Sequence, residues 1–460
     1  MSRHPADPRS RIIVVGAGIA GLTAAFRLQT LGYDVTVLEC EDHVGGRMRT
    51  ISHQGYRLDL GAIWLSQGYS HMLSLASDAG LTAHIEPTSS TIGLVRDGLV
   101  HRLRLDRRSD LARTRLLSMR SKVRALALLR DGAKARPLLS WDDLSTAAQL
   151  DSEDARAYAL RRLNPELLDY LIDPLSRVCY FLPPEQVSAA GIHIGMSTLF
   201  GAGTFNFTDG IDTLPRLLAD QLTVTLGARV IHVRQNTNGV QVRWEDAQRH
   251  RRTENAAACV LAVPAPTAAN LVPDLPDTHR DYLAGLEYLH GAHIYFGVTR
   301  PVEEEATFVV FPTRENPHVS YVVFHPRCSP GRVPPGHGLV TIKLDGELGE
   351  KHRHTDDPQV AADALDCLDD VLPQAAHHIR SHLDMTFVHR WEQAIVHRSA
   401  GGYHLLQQFT GSYPSSSRIQ FAGDHMSFSS TNAAIATGQS AAQRTAHALH
   451  REGKEMDELR

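Results

Sequence analysis

The sequence predicts an α/β protein in which a doubly wound parallel-sheet domain is interleaved with a second, α+β domain. Three observations carry that expectation. A strand, a glycine-rich turn, a helix and a second strand follow one another between residues 11 and 38. Strand-rich and helix-rich stretches then alternate along all 460 residues, which suits interleaved domains better than beads on a string. Apolar residues make up 42% of the chain and charged residues 21%, enough to build a sizeable core and to exclude global disorder.

Taken in order, residues 1–10 hold no apolar stretch and read as a short tail rather than a signal peptide. Residues 11–15 are β-branched and apolar, the composition of a buried parallel strand. Residues 22–31 are rich in Ala and Leu and read as a helix, with Gly32 at its C-terminal cap. Residues 35–38 form the next strand and complete a β-α-β unit of about 30 residues. Residues 103–139 are basic, with twelve Arg and Lys between Arg102 and Arg136 against Asp106, Asp110 and Asp131. Leu116, Leu117, Val123, Leu126 and Leu129 recur there at roughly helical spacing. The stretch is expected to be a helical layer with a solvated basic face; the alternative is a surface for anionic lipid or an acidic partner.

Residues 151–171 continue helical, and 208–222 carry a helix signal with Pro215 awkwardly inside it. Two strands, 229–233 and 240–244, are joined through Asn236-Thr237-Asn238-Gly239. Another buried strand, 259–263, ends at Pro264, and 290–298, 307–312, 319–325 and 339–344 are four further strand candidates.

Composition also excludes classes of function. Lys and Arg number 47 and Asp and Glu 51, a net charge of −4 that argues against wholesale nucleic-acid binding. No apolar run reaches 18 residues, so no transmembrane helix is expected. Cys40, Cys179, Cys259, Cys328 and Cys367 are scattered and odd in number, which fits a reducing cytoplasm better than a disulfide framework. The 26 histidines show no metal-ligand spacing, and no metal site is expected.

Gly16-Ala17-Gly18-Ile19-Ala20-Gly21 is a Gly-x-Gly-x-x-Gly turn between strand and helix, and Glu39 ends the second strand. In such a turn the first glycine permits the bend, the second admits a pyrophosphate, and the third lets helix pack on strand. The helix N-terminus adds about +0.5 charge toward the phosphates, and Glu39 can accept hydrogen bonds from a ribose. Gly201-Ala202-Gly203 lacks the flanking elements, so no second nucleotide fingerprint is found.

Further motifs follow: Gly45-Gly46-Arg47, then Asp59-Leu60-Gly61-Ala62-Ile63-Trp64, Val260-Leu261-Ala262-Val263-Pro264, Ala422-Gly423-Asp424, and Asn432-Ala433-Ala434 before Gly438. With these the chain resembles the flavin amine oxidase superfamily, which includes protoporphyrinogen oxidases and phytoene-desaturase-like enzymes. The resemblance is strongest over residues 11–66 and 386–449. It implies a Rossmann-type FAD-binding domain with non-covalent FAD. Gly16, Gly18, Ala20, Gly21, Glu39, Gly46, Gly61, Ala62, Ile63, Trp64, Gly423 and Asn432 are then cofactor-binding. Arg47 is implied at the FAD phosphate, the Val230 backbone at the adenine, Asp424 at the ribityl hydroxyls, and the Ala433 and Ala434 amides at the flavin carbonyl edge.

The resemblance also implies catalytic positions. Ser399-Ala400-Gly401-Gly402-Tyr403, after Trp391, resembles the segment that supplies a cage tyrosine, so Tyr403 and Trp391 are expected to wall the site; the alternative for Tyr403 is a core aromatic. Gly402 stands where monoamine oxidases carry the cysteine that links FAD, and Ser430 replaces the second cage aromatic, with Phe428 the nearest ring. His293 falls where many amine oxidases carry an active-site lysine, and none of the five lysines fits that place; His293 is expected either to hold water or act as a base near neutral pH, or to be a satisfied histidine on a strand. The first expectation is oxidation of a C–N bond of a small-molecule amine by hydride transfer, with dioxygen or another electron acceptor. The alternatives are C–C desaturation and a catalytically silent flavin-binding partner protein; membrane contact is the less favoured partner reading. The FAD domain is expected from 1–75, 205–285 and 397–460, and the substrate domain from 76–204 and 286–396.

Overall fold

The computed structural model describes residues 11–329 and 331–458. The expectation of a tail at residues 1–10 lies outside them. A parallel sheet of five strands forms from distant stretches, in the order Thr223–Thr225, Asp34–Leu38, Arg11–Val15, Ala258–Leu261 and Ile419–Phe421. Ile12, Ile13, Val14, Val37 and Val260 are fully buried, as strands covered on both faces require. On one face lies the helix Ile19–Thr30, packed against the long helix Thr431–Glu458. The approach is close: a Cβ on Gly438 would stand 2.4 Å from the Ala20 carbonyl oxygen. Beside this sheet, Arg229–Asn236, Gly239–Glu245 and Arg251–Ala256 form a three-stranded antiparallel sheet, the first two joined at the expected turn.

A seven-stranded sheet is the second layer. Its order is Leu383–Val396, Tyr288–Val298, Gly338–Leu344, Val319–Phe324, Phe308–Val310, Thr91–Arg96 and Leu99–Arg104. All pairs are antiparallel except Phe308–Val310 with Thr91–Arg96. The hairpin from Thr91 to Arg104 went unread because its alternation is broken by Gly93, Arg96 and the charged outer strand. The basic stretch begins on that strand and continues into the helix Met119–Ala135. Residues 151–171 are not one helix: Asn164 caps a new start, with its side chain accepting from the Leu167 N–H and Pro165 at the first turn. Pro215 is tolerated because the helix is Thr213–Ala219, so its missing N–H falls in the first turn, where no intrahelical partner exists.

The layers are tied at Asp59, at the end of the strand Tyr56–Asp59. Asp59 and Arg332 form an ion pair of 2.9 Å with both side chains fully buried. The Asp59 carboxylate also accepts from Thr50 Oγ1 at 2.6 Å and the Ile211 N–H at 3.1 Å. Arg332 donates onward to the carbonyls of Phe207 and Thr208, each at 3.0 Å. Removing one partner of such a pair leaves an uncompensated buried charge. Arg332→Met is therefore expected to lower stability by about 3–5 kcal/mol, read as an earlier urea midpoint. An unchanged midpoint would show that Asp59 does not depend on Arg332.

Candidate functional site

The glycine turn has the shape of a phosphate cradle. Gly16 has φ +98°, and a Cβ there would stand 2.6 Å from the Ala262 carbonyl oxygen. A Cβ on Gly21 would lie 2.0 Å from the Gly16 oxygen, so this position packs helix on strand. Gly18 differs: a Cβ there would meet nothing within 4 Å, leaving open space at the N-terminus of the helix Ile19–Thr30. Gly46, with φ +55°, faces Gly18, whose Cα is 3.4 Å from a Cβ placed there. Glu39 is buried, its carboxylate accepting from the Ala17 N–H at 2.6 Å and the Glu41 N–H at 3.0 Å. Its own carbonyl accepts from the Ala228 N–H, which brings the segment leading to Val230 alongside. These residues therefore meet around one groove, and the open cradle fits a dinucleotide pyrophosphate.

Arg47 and Asp424 were expected on separate parts of a cofactor; the structure joins them. The guanidinium makes a bidentate pair, Nη1 to Oδ2 at 2.6 Å and Nη2 to Oδ1 at 2.8 Å, and Nη1 also donates to the Ala394 carbonyl at 2.9 Å. Burial works against the Asp424 charge, but the charge and hydrogen bonds of Arg47 outweigh it and hold the carboxyl below its usual range. Gly423 precedes it with φ +137°.

The amides of Ala433 and Ala434 are also placed otherwise than expected. They donate to Ser430, to Oγ at 3.1 Å and to the carbonyl at 3.0 Å, so Ser430 caps the helix. The dipole end of that helix is then presented by its first two residues, Thr431 and Asn432. Thr431 Oγ1 and Asn432 Nδ2 are buried without a protein partner, the kind of atoms a bound group would satisfy.

Next to this helix end lies a cavity of about 270 Å³. Gly61, Ala62, Ile63 and Trp64 line one side, with Phe428, Ser429, Ser430 and Thr431 beside them. Leu171, Leu175, Val178 and Phe181 come from the helical cover, and His293, Phe308, Val310, Tyr321 and Ile395 from the seven-stranded sheet. No Asp, Glu, Lys or Arg is among the residues lining it. Cys179 is there too, a thiol that burial pushes up to about 12.

His293 does reach this cavity, but not as a base near neutral pH. It is buried, and burial first, then the charge of Lys343, pushes it down to about 3. The neutral ring is held at both nitrogens: Nδ1–H donates to the Leu60 carbonyl at 3.2 Å, and Nε2 accepts from the Tyr321 hydroxyl at 2.8 Å. Trp391 does not line the cavity; its Nε1–H donates to the same Leu60 carbonyl at 2.9 Å, so it positions the strand behind the wall. Tyr403 does not line it either. Its ring is buried in the helical cluster with Leu406 and Phe428, under the Arg398 guanidinium at 5.4 Å. The aromatic rings of the cavity wall include Phe428, Phe181, Phe308 and Tyr321 in place of Tyr403.

Lys343, set aside on sequence because it lies on a later strand, stands beside His293 in the sheet. It is the cross-strand partner of His293, buried, donating to the Leu344 carbonyl at 2.6 Å and lying 3.8 Å from Asp345. Its ammonium stands 4.2 Å from the centroid of Phe181, behind the cavity wall. Lys343, Tyr321 and Phe181 carry no local motif, and only strand register and packing bring them together.

A family model described as flavin containing amine oxidoreductase matches residues 19–446. Protoporphyrinogen oxidase 2 of Arabidopsis thaliana is 27% identical over 274 residues, covering 51% of this chain and 52% of that protein. The chain thus spans about half the length of the first curated relatives it matches. The L-amino-acid oxidase of Siganus canaliculatus is 23% identical over 455 residues, 91% of this chain and 81% of that one. Among solved structures, cyclohexylamine oxidase from Brevibacterium oxydans superposes with a TM-score of 0.72 at 19% identity, covering 96% and 99% of the two chains, a likeness of fold.

Burial sets the acid sensitivity of this region. His293 and His325 are pushed down to about 3, and His389 and His425 to about 4, from 6.5. Between those values the unfolded chain binds more protons than the folded one, so this stability is whole above pH 6.5 and falls as pH drops toward 3. Each group contributes a slope of up to about 1.4 kcal/mol per pH unit. Urea midpoints measured down this range are expected to fall, less steeply in His293→Gln. Midpoints that hold or rise on acidification would contradict a neutral buried ring.

Proposed function

We propose, from the premise that this chain belongs to the flavin containing amine oxidoreductase family, that it dehydrogenates an uncharged, apolar small molecule at the cavity of Phe428, Phe181 and His293. The protein is an FAD-dependent oxidase or dehydrogenase. The observation that carries the substrate reading is the wall without an ionised side chain. Transferring an unpaired ammonium or carboxylate into such a cavity carries a desolvation penalty of several kcal/mol. An amino acid would bring both charges and find no partner for either. This reverses the order expected from sequence and favours C–C desaturation, with C–N oxidation limited to an amine that enters neutral.

A flavin held here would supply the hydride acceptor, and the chain's part is to hold and orient. The glycine turn and Gly46 take the pyrophosphate. Glu39 and the backbone at Val230 take the adenosine. Arg47 with Asp424 takes the middle of the cofactor, and the Thr431–Asn432 helix end takes the flavin edge, where its dipole stabilises negative charge. Phe181, Phe308 and Phe428 position the donor carbon. His293 has both nitrogens engaged, so it fixes the Tyr321 hydroxyl, whose oxygen can still accept one hydrogen bond from an N–H or O–H of the substrate. The electron acceptor is dioxygen or another oxidant. We assign the cofactor domain to 1–75, 205–285 and 397–460 and the substrate domain to 76–204 and 286–396; the membership of the two large sheets supports that division.

FAD is held without a covalent bond on this reading, because Gly402 replaces the linking cysteine and Cys179 stays a thiol. Denaturation is expected to release FAD into a small-pore filtrate; colour left with the precipitate overturns the reading. Glu39→Gln is expected to weaken FAD binding by about 1.5–3 kcal/mol, seen by titrating the apoprotein. Anaerobic bleaching should proceed with uncharged polyenes and fail with amino acids. Bleaching by cationic amines alone would return the C–N reading to first place, and none with any class would favour the silent flavin-binding protein.

A further inference from the structure

The helix Met119–Ala135 has two faces that contradict its expected role as a merely solvated layer. Ser121, Leu128 and Ala135 point inward and are buried. Asp131 is held at the inner edge by a bidentate pair with Arg162 and a bond from the Tyr158 hydroxyl. At 100° per residue, Met119, Val123, Leu126 and Leu129 fall on the opposite side. They are 71%, 63%, 51% and 60% exposed. Other exposed large apolar residues, such as Leu31, Leu99 and Leu383, are scattered singly, which needs no explanation. Four on adjacent turns of one helix form a stripe.

Lys122 and Arg130 interrupt that stripe, Lys134 and Arg120 flank it, and Arg124 lies toward the inner face; among the described residues none of the five is in an ion pair. The helix belongs to the stretch with twelve basic and three acidic residues, inside a chain whose net charge is −4. Positive charge is therefore concentrated here and balanced elsewhere. A second copy docking face to face would bring two such rows together and be repelled. Among the described residues no helix is long and apolar enough to cross a membrane, so a bilayer would be met at its surface.

The geometry points to this face as a docking surface for an anionic bilayer. The stripe enters the boundary between headgroups and acyl chains, and the Lys and Arg stems reach back to the lipid phosphates. The helix packs on Ala189–Leu199, whose Gly195, Thr198 and Leu199 line the apolar cavity. Docking thus sets the bilayer against the cover of that cavity. The inference stands apart from the substrate reading, since it rests on the outer face alone.

The test is flotation of the purified flavoprotein with vesicles of phosphatidylcholine, with and without phosphatidylglycerol. Binding is expected to the anionic vesicles, to weaken in raised salt, and to drop about fivefold for each basic residue removed, the equivalent of ~1 kcal/mol. The combined Val123→Ser, Leu126→Ser and Leu129→Ser variant is expected to lose binding with its thermal unfolding unchanged, because these side chains touch no core. Arg120→Glu with Lys122→Glu should lose the anionic preference. Three results overturn the proposal: no flotation with anionic vesicles, equal flotation with neutral ones, or flotation kept by the triple-serine variant. Sedimentation showing a dimer that the triple-serine variant abolishes would make a second copy the occupant and overturn it as well.

Discussion

The buried pair of Asp59 and Arg332 is the constraint on which the site depends. Both side chains are out of water, so each needs every partner the fold supplies. Those partners come from the strand before the motif at 59–64, from the loop at 206–211, and from residue 332 far along the chain. The Asp59 carbonyl then accepts from the Tyr295 hydroxyl at 2.7 Å, and the next carbonyl, Leu60, accepts from both His293 and Trp391. One dipeptide thus sets the cofactor-side motif against the seven-stranded sheet. Moving it would move the wall at Gly61–Trp64, the neutral histidine and the strand carrying Ile395 together.

Exclusion of charge is the second organising fact. The cavity wall carries aromatic and aliphatic side chains, while the ionised groups nearby sit one layer behind it. Lys343, Asp345 and Arg177 pair among themselves, with Arg177 Nε 3.2 Å from Asp345. In a low-dielectric setting this arrangement keeps the histidine neutral and leaves hydrogen bonding, not charge, as the means of orienting a ligand. It also separates this site from those that recognise a substrate by its ammonium or carboxylate. The relatives named above, a protoporphyrinogen oxidase and an L-amino-acid oxidase, bear the names of different substrates, so family membership alone does not name this chain's substrate.

The outer surface shows the opposite logic. Along Met119–Ala135 apolar side chains face outward among unpaired basic ones, a distribution that a water-facing helix has no reason to keep. The inner and outer faces of the same helical cover are therefore both apolar, one toward the cavity and one away from it.

By itself the sequence determined the parts whose signal is local. The Gly16–Gly21 turn, Glu39, Gly46 and the first two parallel strands were legible because a glycine that must bend, or must not carry a Cβ, declares itself within a few residues, whereas the sheet order and its edge strands Thr223–Thr225 and Ile419–Phe421 were not. The long motifs at 59–64 and 423–438 carried the family for the same reason. Tertiary structure alone decided the chemistry of the wall. Tyr403 was read as facing the site, but its helix turns the ring into the core. For His293 the sequence left a base or water-holder and a satisfied strand histidine side by side, and burial with a bond at each nitrogen decides for the second. Phe181 and Tyr321 were invisible and Lys343 was set aside as lying on a later strand, since strand register joins Tyr321 to Lys343 and only packing brings Phe181 to them. A pKa and a line of sight are properties of surroundings, and those surroundings exist only once distant segments have folded together.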